Sequence, residues 1–269
     1  MNLKNGRLVG VSKILIIGDS CTDVFVYGTC NRICPEAPVP ILNPIKTTTN
    51  GGMAKNVSKN LNKMGAEVKI VTNLNDIKKI RYVDEKTNSI MLRIDENDST
   101  NRVPSDVILK IQNNTYENFN FDALVVSDYC KGFLNKTDIQ FLIEHNDNVF
   151  LDTKRKLGNW VYNVNYLKIN EKEYEKTKDY IDYDKLKNKL IITKGSKGCQ
   201  YLDKIYPVPT VESIKDYSGA GDTFFAGFVL NFLEKMYEKG YNKKNVKSAI
   251  NYAQECATIV VQKHGVATI

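Results

Sequence analysis

Three small residues, Gly219-Ala220-Gly221, stand directly before an acid, Asp222, at the start of a largely apolar segment. Small residues let the backbone approach a ligand closely, and a helix that follows directs unpaired N–H groups at it. An acid beside such an anion site can take the proton of an attacking hydroxyl. The alternative is a tight strand-to-helix turn in which Asp222 only favours the helix N-terminus. The turn alone leaves both interpretations open.

Other polar stretches follow strand-like segments or precede helical ones. Ligands of open parallel sheets bind beyond the carboxyl ends of the strands, so acids placed there are candidates for binding. The segment 193–198 is either a plain turn, since Lys-Gly-Ser-Lys-Gly is good turn chemistry, or a nucleotide platform. The segment 170–173 is either a solvated helix start or part of a site. The stretches are Gly18-Asp19 with Asp23, Asn50-Gly51-Gly52, Asn170-Glu171-Lys172-Glu173 and Thr193–Gly198.

The elements that position these residues alternate between strand-like and helical patterns. Short, continuous, β-branched runs suit strands that are buried on both faces of a mainly parallel sheet. Helical spacing follows the first Gly-Gly pair and recurs near the C-terminus, which favours a layered α/β fold. The predicted strands are Lys13–Ile17, Glu67–Val71, Ala123–Val126, Val149–Leu151 and Leu190–Ile192, and the helices cover Ala54–Met64 and Val246–Val260.

Two further stretches break this alternation. Residues 28–50 contain four prolines and then three threonines, and residues 88–95 alternate apolar and polar side chains. Both patterns are typical of exposed or edge strands. They predict a small sheet beside the main domain, which is either a lid or a peripheral hairpin.

Length and composition limit the classes of protein. A chain of 269 residues with 42% hydrophobic and 26% charged residues suits one globular domain. The net charge of +7 is spread along the chain, without the basic stripe and interleaved aromatics of a nucleic-acid-binding protein. No apolar run approaches the roughly 18–20 residues that span a bilayer, and no signal peptide is evident, so we expect a cytoplasmic protein with reduced cysteines.

Together these motifs resemble the ribokinase-like (PfkB) family of carbohydrate kinases. Asp216-Tyr217-Ser218-Gly219-Ala220-Gly221-Asp222 is similar to the C-terminal signature, in which Thr is usual where Tyr217 stands. Gly51-Gly52 is similar to the N-terminal Gly-Gly signature, and Asn170 to Glu173 matches the Asn-x-x-Glu motif. The resemblance implies a three-layer α/β/α fold with a mainly parallel central sheet and a small β lid.

One branch of the family is more similar, the kinase domain of bacterial bifunctional heptose-phosphate kinase/adenylyltransferases. Pro35-Glu36-Ala37-Pro38-Val39-Pro40 and Ser127-Asp128-Tyr129-Cys130-Lys131-Gly132 carry this resemblance. Residues 72–93 are fewer than in the branch, and one extra residue separates Gly51-Gly52 from Asn56. We expect residues 1–269 to form a single kinase domain without a nucleotidyltransferase domain, with lid strands from about 28–50 and 88–102.

The resemblance also implies a role for each site residue. Asp222 would be the general base, and the N–H groups of Gly219, Ala220 and Gly221 would hold the transferring phosphoryl group. ATP and its Mg²⁺ would be bound by Asn170, Glu173, Thr193, Gly195, Gly198 and Asn251, with Glu173 reaching the metal through water. The sugar would be bound by Asp19, Asp23, Gly51, Gly52, Asn56, Asp128 and Lys131.

Three functional hypotheses follow. The first is an ATP-dependent kinase that phosphorylates a sugar hydroxyl, in this branch the anomeric hydroxyl of D-glycero-D-manno-heptose 7-phosphate. The second is a ribokinase-like kinase of another sugar or of a nucleoside. The third is an inactive pseudokinase subunit, which predicts erosion of Asp222 or of the glycine turn, and neither is eroded. A homodimer that pairs through the lid strands is implied by the same resemblance.

Overall fold

A computed structural model of the chain describes residues 3–4, 7–8, 11–211, 213–240, 243–263 and 265–269. Elements are numbered in chain order. The strands in the first half are β1 (Leu3–Lys4), β2 (Arg7–Leu8), β3 (Lys13–Gly18), β4 (Ser20–Ile33), β5 (Pro40–Met53), β6 (Glu67–Thr72), β7 (Ile77–Asp84), β8 (Ser89–Glu96), β9 (Thr115–Tyr116), β10 (Phe119–Asn120) and β11 (Ala123–Asp128). Those that follow are β12 (Val149–Thr153), β13 (Tyr166–Asn170), β14 (Leu190–Thr193), β15 (Cys199–Tyr201) and β16 (Lys204–Tyr206).

Seven α-helices lie within these described ranges. They are α1 (Ala54–Lys63), α2 (Ser105–Lys110), α3 (Lys136–Glu144), α4 (Glu171–Thr177), α5 (Tyr183–Leu186), α6 (Ala220–Lys239) and α7 (Lys243–Val261). Both helices that the sequence predicts are present, as α1 and α7. The five predicted strands are present as β3, β6, β11, β12 and β14.

The main sheet has the strand order β16-β15-β14-β13-β12-β11-β3-β6. The strands from β14 to β6 in this order run parallel, and β15 and β16 run antiparallel at one edge. The carboxyl ends of the parallel strands therefore meet at one edge of the sheet, where Asp19, Asp128, Asn170 and Thr193 lie.

The two faces of the main sheet bury separate apolar clusters. Ile14 and Ile16 of β3 pack with α1, α6 and α7, and Leu15 and Ile17 of the same strand pack with α2 and α3 on the opposite face. All four side chains are fully buried. A strand covered on both faces needs a continuous apolar sequence, which explains the pattern of the predicted strands. The three-layer α/β/α fold is confirmed.

A second, four-stranded sheet, the lid, has the strand order β5-β4-β7-β8. It leaves the main domain where β4 begins, directly after Asp19, and returns where β5 ends, directly before α1. The N–H of Ala54 donates a hydrogen bond of 3.0 Å to the carbonyl of Asp19, so these two crossings lie together. The small β lid is therefore present. Its strands include residues 20–27 and β7, which lie outside the two segments predicted from the sequence.

Candidate active site

The turn before Asp222 is the N-terminus of α6. Gly219 caps this helix in the left-handed region with φ of 80°, and a Cβ there would stand 2.7 Å from Nδ2 of Asn56. Glycine is required at this position because both the φ value and the close approach disfavour a side chain. The first intrahelical hydrogen bond runs from the N–H of Thr223 to the carbonyl of Gly219. The N–H groups before Thr223 therefore lie at the open end of the helix, although that of Ala220 is 3.3 Å from the carbonyl oxygen of Tyr217.

Asp222 is buried and both of its carboxylate oxygens accept hydrogen bonds. Asn56 Nδ2 donates to Oδ2 at 3.0 Å, and the hydroxyl of Tyr129 donates to Oδ1. Burial raises the pKa of Asp222, while the hydrogen bonds from Tyr129 and Asn56 and the charge of Lys168 oppose that rise. A buried acid with a raised pKa and an imposed orientation has the properties of a general base.

Asn56 contacts the predicted base directly. In addition to its bond to Asp222, its Oδ1 accepts a hydrogen bond of 3.2 Å from Asn60 of the same helix. Both ends of the amide are thereby engaged inside the protein, and the side chain is fully buried. The role that this geometry gives Asn56 is orientation of Asp222; its predicted contact with sugar hydroxyls stays a prediction.

Asp23 and Gly52 lie side by side in the lid, on the paired strands β4 and β5. A Cβ at position 52 would stand only 2.0 Å from Oδ2 of Asp23, so the absence of a side chain at Gly52 makes room for the carboxylate. Asp23 is buried and forms an ion pair of 2.6 Å with Arg81 of β7. Gly51 pairs with Thr22 on the same ladder. Gly52 thus serves the placement of an acid, and both glycines lie in the last residues of β5 before α1.

Asp19 and Asp128 organise the loop that follows β11. Asp19 accepts hydrogen bonds from the N–H groups of Tyr129, Lys131 and Phe133, at 2.7, 3.3 and 3.2 Å. Asp128 is bound by the hydroxyl of Thr153 and forms an ion pair with Arg155. These bonds hold the loop over the sheet edge, and the predicted contacts of both acids with the sugar remain predictions.

Lys131, in the same loop, reaches towards the lid. Its Nζ forms an ion pair of 2.5 Å with Asp98, and it lies near two other cations, Lys79 of β7 and Arg93 of β8. Burial lowers the pKa of Lys79, and the positive charges of Lys131 and Arg93 lower it further, while Cys21 and Asp23 oppose this change. Clustered positive charges favour the binding of an anion, and here Lys131 and Arg93 are already paired with Asp98 and Asp95.

The Asn-x-x-Glu motif forms a capping box at the start of α4. Asn170 Oδ1 accepts from the N–H of Glu173 at 2.9 Å, and Glu173 Oε2 accepts from the N–H of Asn170 at 2.8 Å. The other oxygen of Glu173 forms an ion pair of 2.6 Å with Lys154. Burial alone would lower the pKa of Lys154, but the carboxylates of Asp152 and Glu173 outweigh it and raise that pKa.

A buried pair, Lys168 and Asp152, lies beneath the glycine turn. Lys168 Nζ is 2.7 Å from Oδ2 of Asp152 and would be 3.3 Å from a Cβ built on Gly221. Oδ1 of Asp152 is buried and accepts no hydrogen bond, although Lys154 Nζ is 3.9 Å away. The site therefore has a fixed positive charge near the open end of α6 and one buried carboxylate oxygen without a hydrogen-bond partner.

An apolar pocket of about 350 Å³ opens on the other side of the turn. Gly195 and Ser196 of the predicted nucleotide platform line it, together with Tyr217 and Ala220 of the signature. The remaining lining residues are Val208, Pro209, Thr210, Val211, Ile214, Ala257, Thr258 and Val261. Thr193 lies at the end of β14, directly before this platform.

Of the six residues predicted to bind ATP and its Mg²⁺, Gly195 lines this pocket, and Asn170, Glu173, Thr193, Gly198 and Asn251 do not. Gly198 has φ of 93° and a Cβ there would stand 2.0 Å from the carbonyl oxygen of Tyr206, so its glycine is explained by packing against the strand β16. Asn251 is exposed on α7 and does not line the pocket, whereas Ala257, Thr258 and Val261 of the same helix do. The structure thus gathers Gly195 but not Asn251 at the pocket.

The described residues hold no group of three or more His, Cys, Asp or Glu side chains arranged to bind a metal ion. His264, one of the two histidines, lies outside the described residues. None of the described helices is both long and apolar enough to cross a membrane.

The sequence pattern of the pfkB family carbohydrate kinases matches residues 75–269. The chain belongs to the pfkB family. It is accordingly a phosphotransferase that acts on an alcohol group, of the carbohydrate kinase class. The three motifs that suggested this family are Gly51-Gly52, Asn170 to Glu173 and Asp216 to Asp222. They lie in one fold, with Asn170 and Asp222 at the same edge of the main sheet.

Relatives of this pfkB family chain include the bifunctional protein HldE of Campylobacter curvus, 30% identical over 95% of this chain, and that of Helicobacter acinonychis, 29% identical over 95%. The chain spans 63% and 64% of their lengths. Among solved structures, phosphofructokinase-2 from Escherichia coli superposes with a TM-score of 0.66 at 12% identity, covering 96% of this chain and 94% of that one. The ribokinase of Arabidopsis thaliana complexed with ribose and ATP gives 0.63 at 13% identity, covering 95% and 94%. These structures share the fold.

Four residues of this pfkB site were not singled out from the sequence. They are Arg81, Tyr129, Lys154 and Lys168. Tyr129 is part of the quoted segment 127–132, and a tyrosine directly after an acid at a strand end is a signal that could have been used. Arg81, Lys154 and Lys168 are three among 38 basic residues, and only the topology distinguishes them.

Proposed function

We propose that this pfkB family chain transfers the γ-phosphoryl group of ATP to the anomeric hydroxyl of a sugar phosphate, D-glycero-D-manno-heptose 7-phosphate or a close relative. The observation that carries the proposal is the position of Asp222. It lies at the open end of α6, with the apolar pocket on the side of Ala220 and the base of the lid on the side of Asn56 and Tyr129. A base between a nucleotide pocket and a sugar pocket is the arrangement that phosphoryl transfer needs.

The apolar pocket is proposed to bind the adenine and ribose of ATP. Its volume of about 350 Å³ is within the usual range for small-molecule sites, and its walls are mostly aliphatic. From there the phosphates would extend past Ala220 towards the N–H groups at the start of α6. Those groups and Lys168 would hold the charge that develops on the transferring phosphoryl group.

Mg²⁺ is proposed to accompany ATP. The buried Oδ1 of Asp152, which accepts no hydrogen bond, and the carboxylate of Glu173 are suitable oxygens for a hard cation. Glu173 would act through water, because both of its oxygens already have protein partners. The metal would supply charge neutralisation to the phosphates. Mg²⁺ sites in kinases commonly use one or two carboxylates, so a larger cluster is unnecessary.

The sugar is proposed to lie between the lid and the loop after β11. Asp23 and Gly52 would face its hydroxyls from the lid, and Asp222 would accept the proton of the hydroxyl that attacks. The three cations Lys79, Arg93 and Lys131 support a substrate that carries a phosphate of its own, because a dianion placed among them would relieve their mutual repulsion.

ATP consumption measured over a panel of sugars and sugar phosphates tests this proposal, with Asp222→Asn as the inactive control. We expect turnover with heptose 7-phosphate and none above background in the control. Turnover of ribose or of a nucleoside alone would support a kinase of another substrate. No turnover with any compound would overturn the kinase assignment of this chain.

A variant of the lid tests whether the substrate is a sugar phosphate or an unphosphorylated sugar. Lys79→Met is expected to raise KM for the sugar phosphate about tenfold and to leave KM for ATP unchanged, since one charge-assisted contact is lost. Lys78→Met on the same strand is the matched control, because Lys78 pairs with Asp76 and is not one of the three clustered cations. Equal effects of the two substitutions would contradict a phosphate site at the cluster.

Two copies of the chain are proposed to pair through the lid. The strand β8 is an edge of the lid sheet, and all eight of its residues are exposed, including Ile90 and Leu92. An exposed apolar edge strand favours pairing with another chain. Light scattering after size exclusion is expected to give twice the chain's mass of 30.5 kDa, and Leu92→Lys is expected to reduce it to the single mass.

A further inference from the structure

Tyr129 contacts the proposed base but has no role in the function proposed so far. It follows β11 directly, and its hydroxyl donates a hydrogen bond to Oδ1 of Asp222 across 93 positions of sequence. The inference below rests on the proposed function, because it concerns how Asp222 acts as a base.

The position of the Tyr129 side chain is fixed at several points. Its N–H donates a hydrogen bond of 2.7 Å to Asp19, and its ring packs against the lid-base residues Cys21, Met53 and Ile77. The next residue, Cys130, has a positive φ of 57°, which turns the chain away from the strand. The hydroxyl is therefore held at Asp222 by the backbone and by packing, and little entropy is lost in making this bond.

Two cations approach the Tyr129 ring from different parts of the fold. Lys154, which follows β12 of the main sheet, lies 5.0 Å from the ring centroid, and Lys79 of the lid lies 5.9 Å from it. These contacts join the main domain and the lid at one side chain.

We propose that Tyr129 is a positioning residue for Asp222: the hydroxyl of Tyr129 donates to the ionised carboxylate and fixes which of its lone pairs face the sugar hydroxyl. Asn56 holds the other oxygen from α1, so two donors on different elements set the plane of the carboxylate. A carboxylate oriented in this way is ready to accept the proton without first rearranging.

The electrostatics of the site agree with this role. Six groups influence Asp222. They are Tyr129 in the loop after β11, Asn56 of α1, Lys168 of β13, Asp152 of β12, Lys154 directly after β12, and Cys21 of β4. Burial raises the pKa of Asp222, and the hydrogen bond from Tyr129 is the first of the influences that lower it again. Burial and the nearby Asp222 charge raise the pKa of Tyr129 well above its usual value, so the phenol stays protonated and remains a donor.

The test is the pH dependence of kcat/KM for the full chain with ATP, Mg²⁺ and the best sugar substrate. Below the pKa of the base, kcat/KM falls as pH decreases, and Tyr129→Phe is expected to move this acid limb up by about one pH unit. Tyr183→Phe is the matched control, since it also loses a tyrosine hydrogen bond, of 3.1 Å to the carbonyl of Leu202. Substrate ionisation is the same for all variants, so a difference between their acid limbs reports a change in the pKa of a group on the enzyme.

A second variant keeps the test valid if Tyr129→Phe folds poorly. Replacement of Tyr129 by 3-fluorotyrosine retains the ring and makes the hydroxyl a stronger donor, so the acid limb is expected to move to lower pH. Selective ¹³C labelling of aspartate carboxyls, with Asp222→Asn for assignment, gives the pKa of Asp222 directly in each variant without any turnover.

Opposite shifts of the limb for the two Tyr129 variants, matched by the ¹³C titration, would support the inference. An active enzyme whose limb and Asp222 titration are the same in wild type, Tyr129→Phe and Tyr183→Phe would overturn it while leaving the kinase assignment intact. A wild-type chain that phosphorylates no sugar would overturn the proposed function and the role of Tyr129 with it.

Discussion

The amide of Asn56 on α1 donates a 3.0 Å hydrogen bond to Oδ2 of Asp222 on α6, although the two residues are 166 positions apart in the sequence. The bond connects the helix that follows the lid to the helix that carries the proposed base. Since the same amide is 3.5 Å from the carbonyl of Gly219, it also lies against the turn that precedes the base. The Gly-Gly signature and the C-terminal signature are thus parts of one site.

Replacement of Asn56 by aspartate tests this contact. It would place a second carboxylate against Asp222, and two buried acids in contact hold a proton to higher pH than either does alone. At pH 7 we expect kcat/KM to fall by at least about tenfold and to recover partly as the pH is raised to 9. Initial rates of ADP formation across this range measure it. Asn62→Asp, on the exposed face of the same helix, is expected to behave as wild type.

The glycine turn predicts unequal effects for two similar substitutions. Gly219→Ala adds a Cβ 2.7 Å from Asn56 and 2.9 Å from Val266, in the left-handed region, whereas Gly221→Ala meets only the end of the Lys168 side chain at 3.3 Å. We expect Gly219→Ala to lower the free energy of unfolding by about 1–2 kcal/mol more than Gly221→Ala. It should also lower kcat about a hundredfold, because it displaces Asn56 and the turn. Urea unfolding and steady-state kinetics on both variants decide this.

The close contact between Gly52 and Asp23 predicts an effect on the sugar alone. In Gly52→Ala the new methyl would stand 2.0 Å from Oδ2 of Asp23, and the ion pair with Arg81 prevents the acid from moving freely. KM for the sugar should rise at least about tenfold while KM for ATP stays within about twofold. Gly51→Ala at the neighbouring predicted sugar residue isolates the contact with Asp23, because its methyl meets Lys55 instead, and KM for the sugar should rise less than in Gly52→Ala. A rise in KM for ATP with either variant would argue against a sugar site at Asp23 that is separate from the ATP site.

The sequence predicted five strands of the main sheet and a glycine turn with Asp222 at a helix N-terminus, because these depend on local patterns. The role of Asp222 as the base stays a prediction. Ile14 to Ile17 are apolar and face both sides of β3, and the small residues before Asp222 fit a tight turn as well as the close approach of a ligand. Arg81 and Lys168 could not be found in this way, since a buried cation is defined by the acid that the fold brings to it. Asn251 illustrates the converse: it lies on the expected helix, but the rotation of α7 directs Ala257, Thr258 and Val261 to the pocket.

The position of Ala257 predicts a selective effect on the nucleotide. Ala257→Leu would fill part of the 350 Å³ pocket with a larger side chain, so KM for ATP is expected to rise about tenfold or more, with KM for the sugar unchanged. Asn251→Ala on the same helix is exposed and outside the pocket lining, and should leave both constants unchanged. Binding of a fluorescent ATP analogue provides a check that is independent of turnover. A normal KM for ATP in Ala257→Leu would exclude this pocket as the adenine site.

Variants of the buried pair Lys168 and Asp152 distinguish an effect on the stability of the fold from an effect on catalysis. Lys168→Met leaves Asp152 buried without its partner at 2.7 Å, and the loss of one member of a buried pair costs about 3–5 kcal/mol in the free energy of unfolding. Adding Asp152→Asn removes the unpaired charge, so the double variant should regain much of that stability. It should not regain activity, because Lys168 supplies the positive charge beneath the turn and Asp152 is a proposed oxygen for Mg²⁺. Denaturant unfolding and kcat measured on the single and double variants complete the comparison. A double variant that recovers both properties would mean that the pair is needed only for the fold.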